Sequence, residues 1–246
     1  MADAMRLAAL IFDVDGTLAE TEELHRQAFN SAFAQEKIHD RAPDLKNGWV
    51  WDEPLYGALL RTTGGKERIA AYLRDHLGVD PGPYASHIES IHRAKTKIYA
   101  SLVDDGALSL RPGIRELVAE AHRTGVVTAI ATTTSRANVD ALVRSCFGRD
   151  AGEVFSVICA GDEVARKKPA PDVYERALEL LSLPASACMA FEDSWNGLTS
   201  ARAAGLACIA SPSRYTQADD LSGASLVVRD FSALSVRDIA AWLEAR

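Results

Sequence analysis

The sequence predicts a doubly wound α/β fold, a parallel sheet flanked by helices, with an inserted helical cap domain. Three observations carry this. Short apolar runs without polar alternation recur along the chain, as strands buried on both faces require. Amphipathic helical stretches separate most of these runs, the rhythm of a parallel sheet. One interval of about a hundred residues lacks a strand pattern, too long for a bare loop in a compact domain.

The apolar runs are Leu7 to Phe12, Val126 to Ala131, Phe155 to Ala160, Ala187 to Phe191, Leu206 to Ala210 and Leu226 to Val228. Between them, Ile114 to His122 follows Pro112-Gly113, and Ala137 to Cys146 follows a Thr/Ser cluster. Val173, Ala177 and Leu181 keep helical spacing after Pro169-Ala170-Pro171-Asp172, and Trp195 to Ala204 ends at Gly205. The strandless interval reads as helices. Leu24, Ala28 and Phe29 share a face, and Leu55 with Leu59 follows Asp52-Glu53-Pro54. Ile69, Leu73 and Leu77 come next, then Ile88, Ile91, Ile98 and Leu102. The expected division is a core of residues 1–18 and 105–246 around a cap of residues 19–104. His39 to Gly48 and Trp49-Val50-Trp51 make a longer connection than the short turn expected there.

Composition narrows the function classes. With 48% hydrophobic and 25% charged residues in 246, the chain suits an ordinary globular protein. A formal charge of −7 argues against a general nucleic-acid surface. No apolar run reaches the roughly 18 residues of a membrane span. The N-terminus has neither signal nor transit character, so a cytoplasmic location is expected. Cys146, Cys159, Cys188 and Cys208 form no CxxC pair, and three lie in apolar runs, which suits small buried hydrophobes in a reducing compartment. A monomer is expected.

Ligands of open parallel sheets sit beyond the carboxyl ends of the strands, so polar residues directly after the apolar runs converge. They are Asp13-Val14-Asp15-Gly16-Thr17, Thr132-Thr133-Thr134-Ser135, Arg166-Lys167-Lys168-Pro169 and Glu192-Asp193-Ser194. Each has an ordinary structural explanation taken singly, as turn, helix cap or solvated charge. Four at one edge are harder to explain that way. Asp13, Asp15, Glu192 and Asp193 gather too much negative charge to stay unpaired, and Mg²⁺ suits a few carboxylates with waters and a phosphate. Lys168 and that ion would draw a phosphate dianion in, and Thr132 would donate to a phosphoryl oxygen. Positioning and charge stabilisation are most of what phosphoryl transfer needs.

In order and context, DVDGT at 13–17, Thr132, Lys168 before PAPD, and Glu192-Asp193 resemble the four signature motifs of the haloacid dehalogenase-like hydrolase superfamily, whose core is Rossmann-like. The resemblance implies that Asp13 is the nucleophile, forming an aspartyl-phosphate. Asp15 would protonate the leaving oxygen and then activate water, with its backbone carbonyl on Mg²⁺. Thr132 and Lys168 would hold the phosphoryl group, and Asp193, supported by Glu192, would complete the metal site. Covalent catalysis gives two aspartates distinct work, because the acid of one step becomes the base of the next.

An insertion just after the first motif resembles the helical-cap class of the superfamily, which includes β-phosphoglucomutases and sugar-phosphate phosphatases. Within it, Thr63, Gly64, Gly65, Lys66 and Arg68 read either as an anion-binding turn at a helix start or as an exposed basic helix cap. No Walker GxxxxGK[ST] is present. AETEELHRQAF, TTGGKERI, IHRAKT, ATTTSR and KKPAPD resemble CbbY-type members, which implies a phosphatase acting on xylulose 1,5-bisphosphate. Glu20 and His25 would then face sugar hydroxyls, although His25 is equally an ordinary first-helix residue. Thr133, Ser135 and Arg136 extend the second motif toward the substrate, and Tyr215 in SPSRYT is a further candidate. A phosphosugar mutase of the β-phosphoglucomutase kind uses the same two aspartates and stays an alternative. A non-catalytic sugar-phosphate sensor has no use for Asp15.

Overall fold

The computed structural model describes residues 7–36, 49–106 and 108–245. The expected long connection at His39 to Gly48 lies outside them. The chain divides into two compact units, one of Met1–Glu20 with Leu108–Arg246 and one of Thr21–Ala107.

The first unit is built on a six-stranded sheet. Its strands are β1 (Ala9–Phe12), β2 (Val127–Ala131), β3 (Val157–Cys159), β4 (Cys188–Glu192), β5 (Ala207–Ala210) and β6 (Leu226–Val227), in the spatial order β3-β2-β1-β4-β5-β6. Every pairing is parallel. Side chains of a strand alternate between faces, and here the alternation also sorts them by size. Leu10, Phe12, Ile130, Met189, Phe191 and Ile209 face one core cluster. Ala9, Ile11, Ala129, Ala131, Cys188, Ala190, Cys208 and Ala210 face the other. The large-residue face carries a ring stack, with the Phe12 and Phe191 centroids 4.6 Å apart. On the small-residue face, Val173, Tyr174 and Ala177 of one helix and Leu198 and Ala201 of another complete the cluster. All four cysteines are buried and free.

Helices of this unit start and stop where local chemistry dictates. α5 (Ile114–Thr124) runs between Gly113 and a left-handed Gly125. In α6 (Arg136–Phe147) the Ser135 side chain accepts from Asn138 N, a hydroxyl cap that satisfies an otherwise orphaned amide. α7 (Ala151–Val154) is a single turn. α8 (Asp172–Leu181) and α9 (Trp195–Ala203) follow β3 and β4, α9 capped by Ser194. α10 (Val236–Glu244) closes the chain under a Ser235 cap.

The second unit contains α1 (Glu22–Gln35), α2 (Glu53–Leu59), α3 (Gly65–Ala71) and α4 (Ala85–Asp104). Asp52 accepts from Leu55 N to start α2. The spacing of Ile69, Leu73 and Leu77 predicted one helix, but α3 gives way to a π turn over Tyr72–His76. α4 also differs from expectation. Its buried face runs through Ile88, Ile91, Lys95, Tyr99 and Val103, while Ile98 and Leu102 are half-exposed. A lysine is tolerated there because its ammonium lies over the rings of Phe29 and Tyr99, at 5.1 and 5.2 Å. Trp49 and Trp51 belong to this unit's core. Trp51 packs on Phe29, Phe33, Tyr56 and Tyr72. Its backbone N donates to Asn30 Oδ1, and its carbonyl accepts from Asn30 Nδ2.

Candidate active site

Register decides what meets at the sheet edge. Phe12 pairs with Ile130 on one side and Phe191 on the other. Asp13, Thr132 and Glu192 therefore emerge together at the carboxyl ends of β1, β2 and β4. Lys168, from the segment between β3 and α8, reaches the same place. Its ammonium donates to Asp13 Oδ1 and to Glu192 Oε1, each at 2.6 Å. The Tyr174 hydroxyl donates to the same Glu192 oxygen at 2.5 Å.

Asp13, Lys168, Glu192 and Asp193 are all buried. Burial pushes the Asp13 carboxyl up to about 7 against the pull of Lys168, with Glu192 and Asp15 adding to the rise. Lys168 is penalised by burial, yet Asp13 and Glu192 hold its affinity for a proton above the ordinary value. Burial, then Glu192, raises the Tyr174 phenol, which stays a hydrogen-bond donor.

Asp13, Glu192 and Asp193 each present one oxygen within 4.8 Å of the others. Three buried carboxylates crowd together, two of them on the Lys168 ammonium, a concentration of acidic groups in a dry setting that a counter-ion would relieve. Glu192 Oε2 is buried with no hydrogen-bond partner. A divalent cation fits these residues, because it would balance the charge, and an all-carboxylate donor set suits a hard ion. The Asp15 carboxylate lies outside this cluster, so among the described residues it is not one of the grouped side-chain donors. Two glycines leave room for the acids. A Cβ on Gly197 would stand 1.8 Å from Glu192 Oε2, and one on Gly16, whose φ is +81°, 2.1 Å from Asp193 Oδ2.

Thr132 is buried, its N donating to Cys159 O and its hydroxyl accepting from Thr134 N. Thr133 is half-buried beside it. Two further residues of this loop, expected to contact substrate, make local contacts here. Ser135 caps α6, and Arg136 pairs with Asp140 at 3.0 Å on the exposed helix surface. Glu20 belongs to the first unit, where its carboxylate accepts from Arg214 N and stands 3.6 Å from Arg111 Nε. Tyr215 is half-buried, with the exposed Arg214 guanidinium 5.8 Å from its ring centroid.

Within the helical unit, His25 Nδ1 is 2.7 Å from Lys95 Nζ, and its ring stacks on Tyr99 at 4.0 Å. Arg68 departs from the solvent-facing role that a basic helix start suggests. Its buried guanidinium donates to the Tyr56 hydroxyl and to Thr62 O, and that hydroxyl donates to Glu22. Thr63, Gly65 and Lys66 are half-buried, and Gly64 is buried with φ +89°.

A family model for haloacid dehalogenase-like hydrolases matches residues 7–205. This chain belongs to that family. Within it the chain is of CbbY type, as two similar relatives indicate. Protein CbbY of Rhodobacter capsulatus is 53% identical over 235 residues, covering 96% of this chain and 98% of the relative. Protein CbbY of Cereibacter sphaeroides is 52% identical, over 93% and 94% of the two chains. Among solved structures, an Asp-to-Asn mutant of CbbY from Rhodobacter sphaeroides in complex with xylulose-(1,5)bisphosphate superposes with a TM-score of 0.83. It is 51% identical, over 93% of this chain and 96% of that one. A β-phosphoglucomutase from Clostridium difficile has a TM-score of 0.77 at 18% identity, which is a likeness of fold. Among the described residues, no helix is long and apolar enough to cross a membrane.

Residue patterns alone did not point to Tyr174, Arg111 or Thr216. Tyr174 follows the lysine motif by only six residues, and Arg111 is a lone charge between Leu110 and Pro112, which are the faint signals available.

Proposed function

We propose that this protein is an Mg²⁺-dependent phosphatase that acts on a small sugar bisphosphate, xylulose 1,5-bisphosphate, through an aspartyl-phosphate on Asp13. The observation that carries the reading is the buried Asp13 carboxylate, 2.6 Å from Lys168 and inside a carboxylate cluster suited to a divalent cation. The substrate is suggested by the CbbY relative that binds it at 51% identity.

An Asp13 oxygen attacks phosphorus, and the new P–O bond forms as the ester P–O bond breaks. The departing sugar oxygen takes a proton from Asp15. A water then gives its proton to the Asp15 carboxylate and attacks the aspartyl-phosphate, releasing inorganic phosphate and restoring Asp13. Lys168 offsets charge on the transferring group, and Thr132 donates to a phosphoryl oxygen. Asp13, Asp193 and the Asp15 carbonyl would hold Mg²⁺, with Glu192 in support, and the ion would supply charge neutralisation for carboxylate and phosphate. The helical unit supplies substrate selection, with Thr63 to Lys66 and His25 as its contacts. The protein acts as a monomer.

The test is phosphate release from xylulose 1,5-bisphosphate with and without Mg²⁺, beside conversion of β-glucose 1-phosphate to glucose 6-phosphate. Rapid Mg²⁺-dependent phosphate release is expected. Isomerisation of the glucose phosphate without phosphate release would overturn hydrolysis in favour of a mutase.

A further inference from the structure

We propose that Thr216 is a positioning residue for the Asp193 carboxylate, on a loop that Arg111 pins in place, and that this brace sets the affinity of the site for its divalent cation. The inference rests on the metal-binding reading of the carboxylate cluster given above.

Asp193 follows β4 directly, and a free carboxylate there would rotate. The Thr216 hydroxyl reaches it, lying 2.7 Å from Asp193 O and 3.3 Å from Asp193 Oδ2. The Thr216 hydroxyl oxygen accepts from Ser213 N at 2.8 Å and lies 3.0 Å from Ser213 Oγ. With Ser213 N on one lone pair, the hydroxyl proton is shared between the Asp193 carbonyl, which is nearer, and its carboxylate. Ser213 and Thr216 are both buried, so this geometry does not compete with bulk water.

The loop is held from its other end. Arg111, buried at the return of the chain to the sheet unit, donates through Nη1 to Gly16 O at 2.6 Å and to Ser211 O at 2.8 Å. Its Nη2 donates to Ser211 Oγ at 2.7 Å and to Pro212 O at 3.1 Å. One planar cation thus ties the turn after Asp15 to the loop after β5. A Cβ on Gly16 would stand 2.1 Å from Asp193 Oδ2 and 3.0 Å from Ser213 Oγ, so the turn and the loop both approach this carboxylate closely. Partners of metal-binding side chains commonly change metal affinity by about 10–100-fold when removed. A planar guanidinium spans several carbonyls where a lysine ammonium does not.

The test is a Mn²⁺ titration of the full chain followed by electron paramagnetic resonance, which reads binding without turnover. Thr216→Val is expected to raise the Mn²⁺ dissociation constant about tenfold. Thr216→Ser, which keeps the hydroxyl, restores wild-type affinity, and Arg111→Lys weakens binding in the same direction as Thr216→Val. Asp193→Asn is the benchmark. If Asp193→Asn weakens binding but Thr216→Val does not, the brace is overturned while the metal site stands. Equal weakening by Thr216→Val and Thr216→Ser also overturns it, since packing rather than the hydroxyl would then matter. Wild-type affinity in Arg111→Lys removes the pin. If wild type and Asp193→Asn bind Mn²⁺ alike, the metal reading and the brace fall together.

Discussion

Lys168 Nζ lies 2.6 Å from Asp13 Oδ1, although 155 residues separate the two along the chain. The same ammonium holds Glu192, so a single cation organises acids delivered by two different strands. Removing it leaves buried carboxylates facing each other. Lys168→Met should cost about 3–5 kcal/mol of stability, the scale for breaking a buried ion pair. Denaturant unfolding of Lys168→Met, Asp13→Asn and the double variant checks this. The double variant should lose less than the sum of the singles, and strict additivity would mean that the pair is not coupled.

Asp13→Asn should abolish phosphate release, and no acid-labile phosphoprotein should form after a rapid quench with substrate. Asp15→Asn should behave differently, slowing both steps while leaving Asp13 able to carry the phosphoryl group. Turnover that survives in Asp13→Asn would rule out covalent transfer through that residue.

Gly197→Ala sets two effects against each other. Alanine favours a helix by about 1 kcal/mol over glycine, and Gly197 lies within α9. A Cβ there would stand 1.8 Å from Glu192 Oε2, which no rotamer of a 0% exposed side chain can absorb cheaply. Sterics should win, with a lower melting temperature and weakened activity. A rise in melting temperature with full activity would show that Glu192 has room to move.

Tyr174→Phe removes the phenol that donates to Glu192 Oε1. The acceptor stays buried, so the expected cost is about 1–3 kcal/mol. Urea unfolding measures it, and a change within error would mean that Lys168 alone satisfies the carboxylate.

Chelation should stop turnover, and Mg²⁺ should restore it. The metal should also raise the melting temperature, because a ligand at 100 times its dissociation constant stabilises by about 2.7 kcal/mol. Thiol chemistry gives a contrasting readout. Burial pushes Cys159 up to about 11 and Cys188 up to about 12, so a thiol reagent at mildly alkaline pH should label neither until the protein unfolds.

The parallel sheet and the acidic edge were legible in the amino-acid order because both depend on local pattern. An unbroken apolar run such as Leu7 to Phe12 makes a strand buried on both faces, and parallel pairing then carries whatever follows it to one edge. Asp13, Thr132, Lys168 and Glu192 needed no more than that to be singled out. Other positions depend on approaches that no local pattern encodes. Arg68 and Arg136 look alike on paper, yet one is buried under Tyr56 and the other pairs with Asp140 at the surface. Lys95 was hidden because a helix face that buries a lysine breaks the apolar periodicity, and only neighbouring rings make that burial tolerable. Thr216 and Arg111 acquire meaning when two loops distant in the chain close around Asp193 and Gly16. Strands follow from short-range side-chain order, whereas the partners of a buried charge are chosen by packing between segments far apart in the chain.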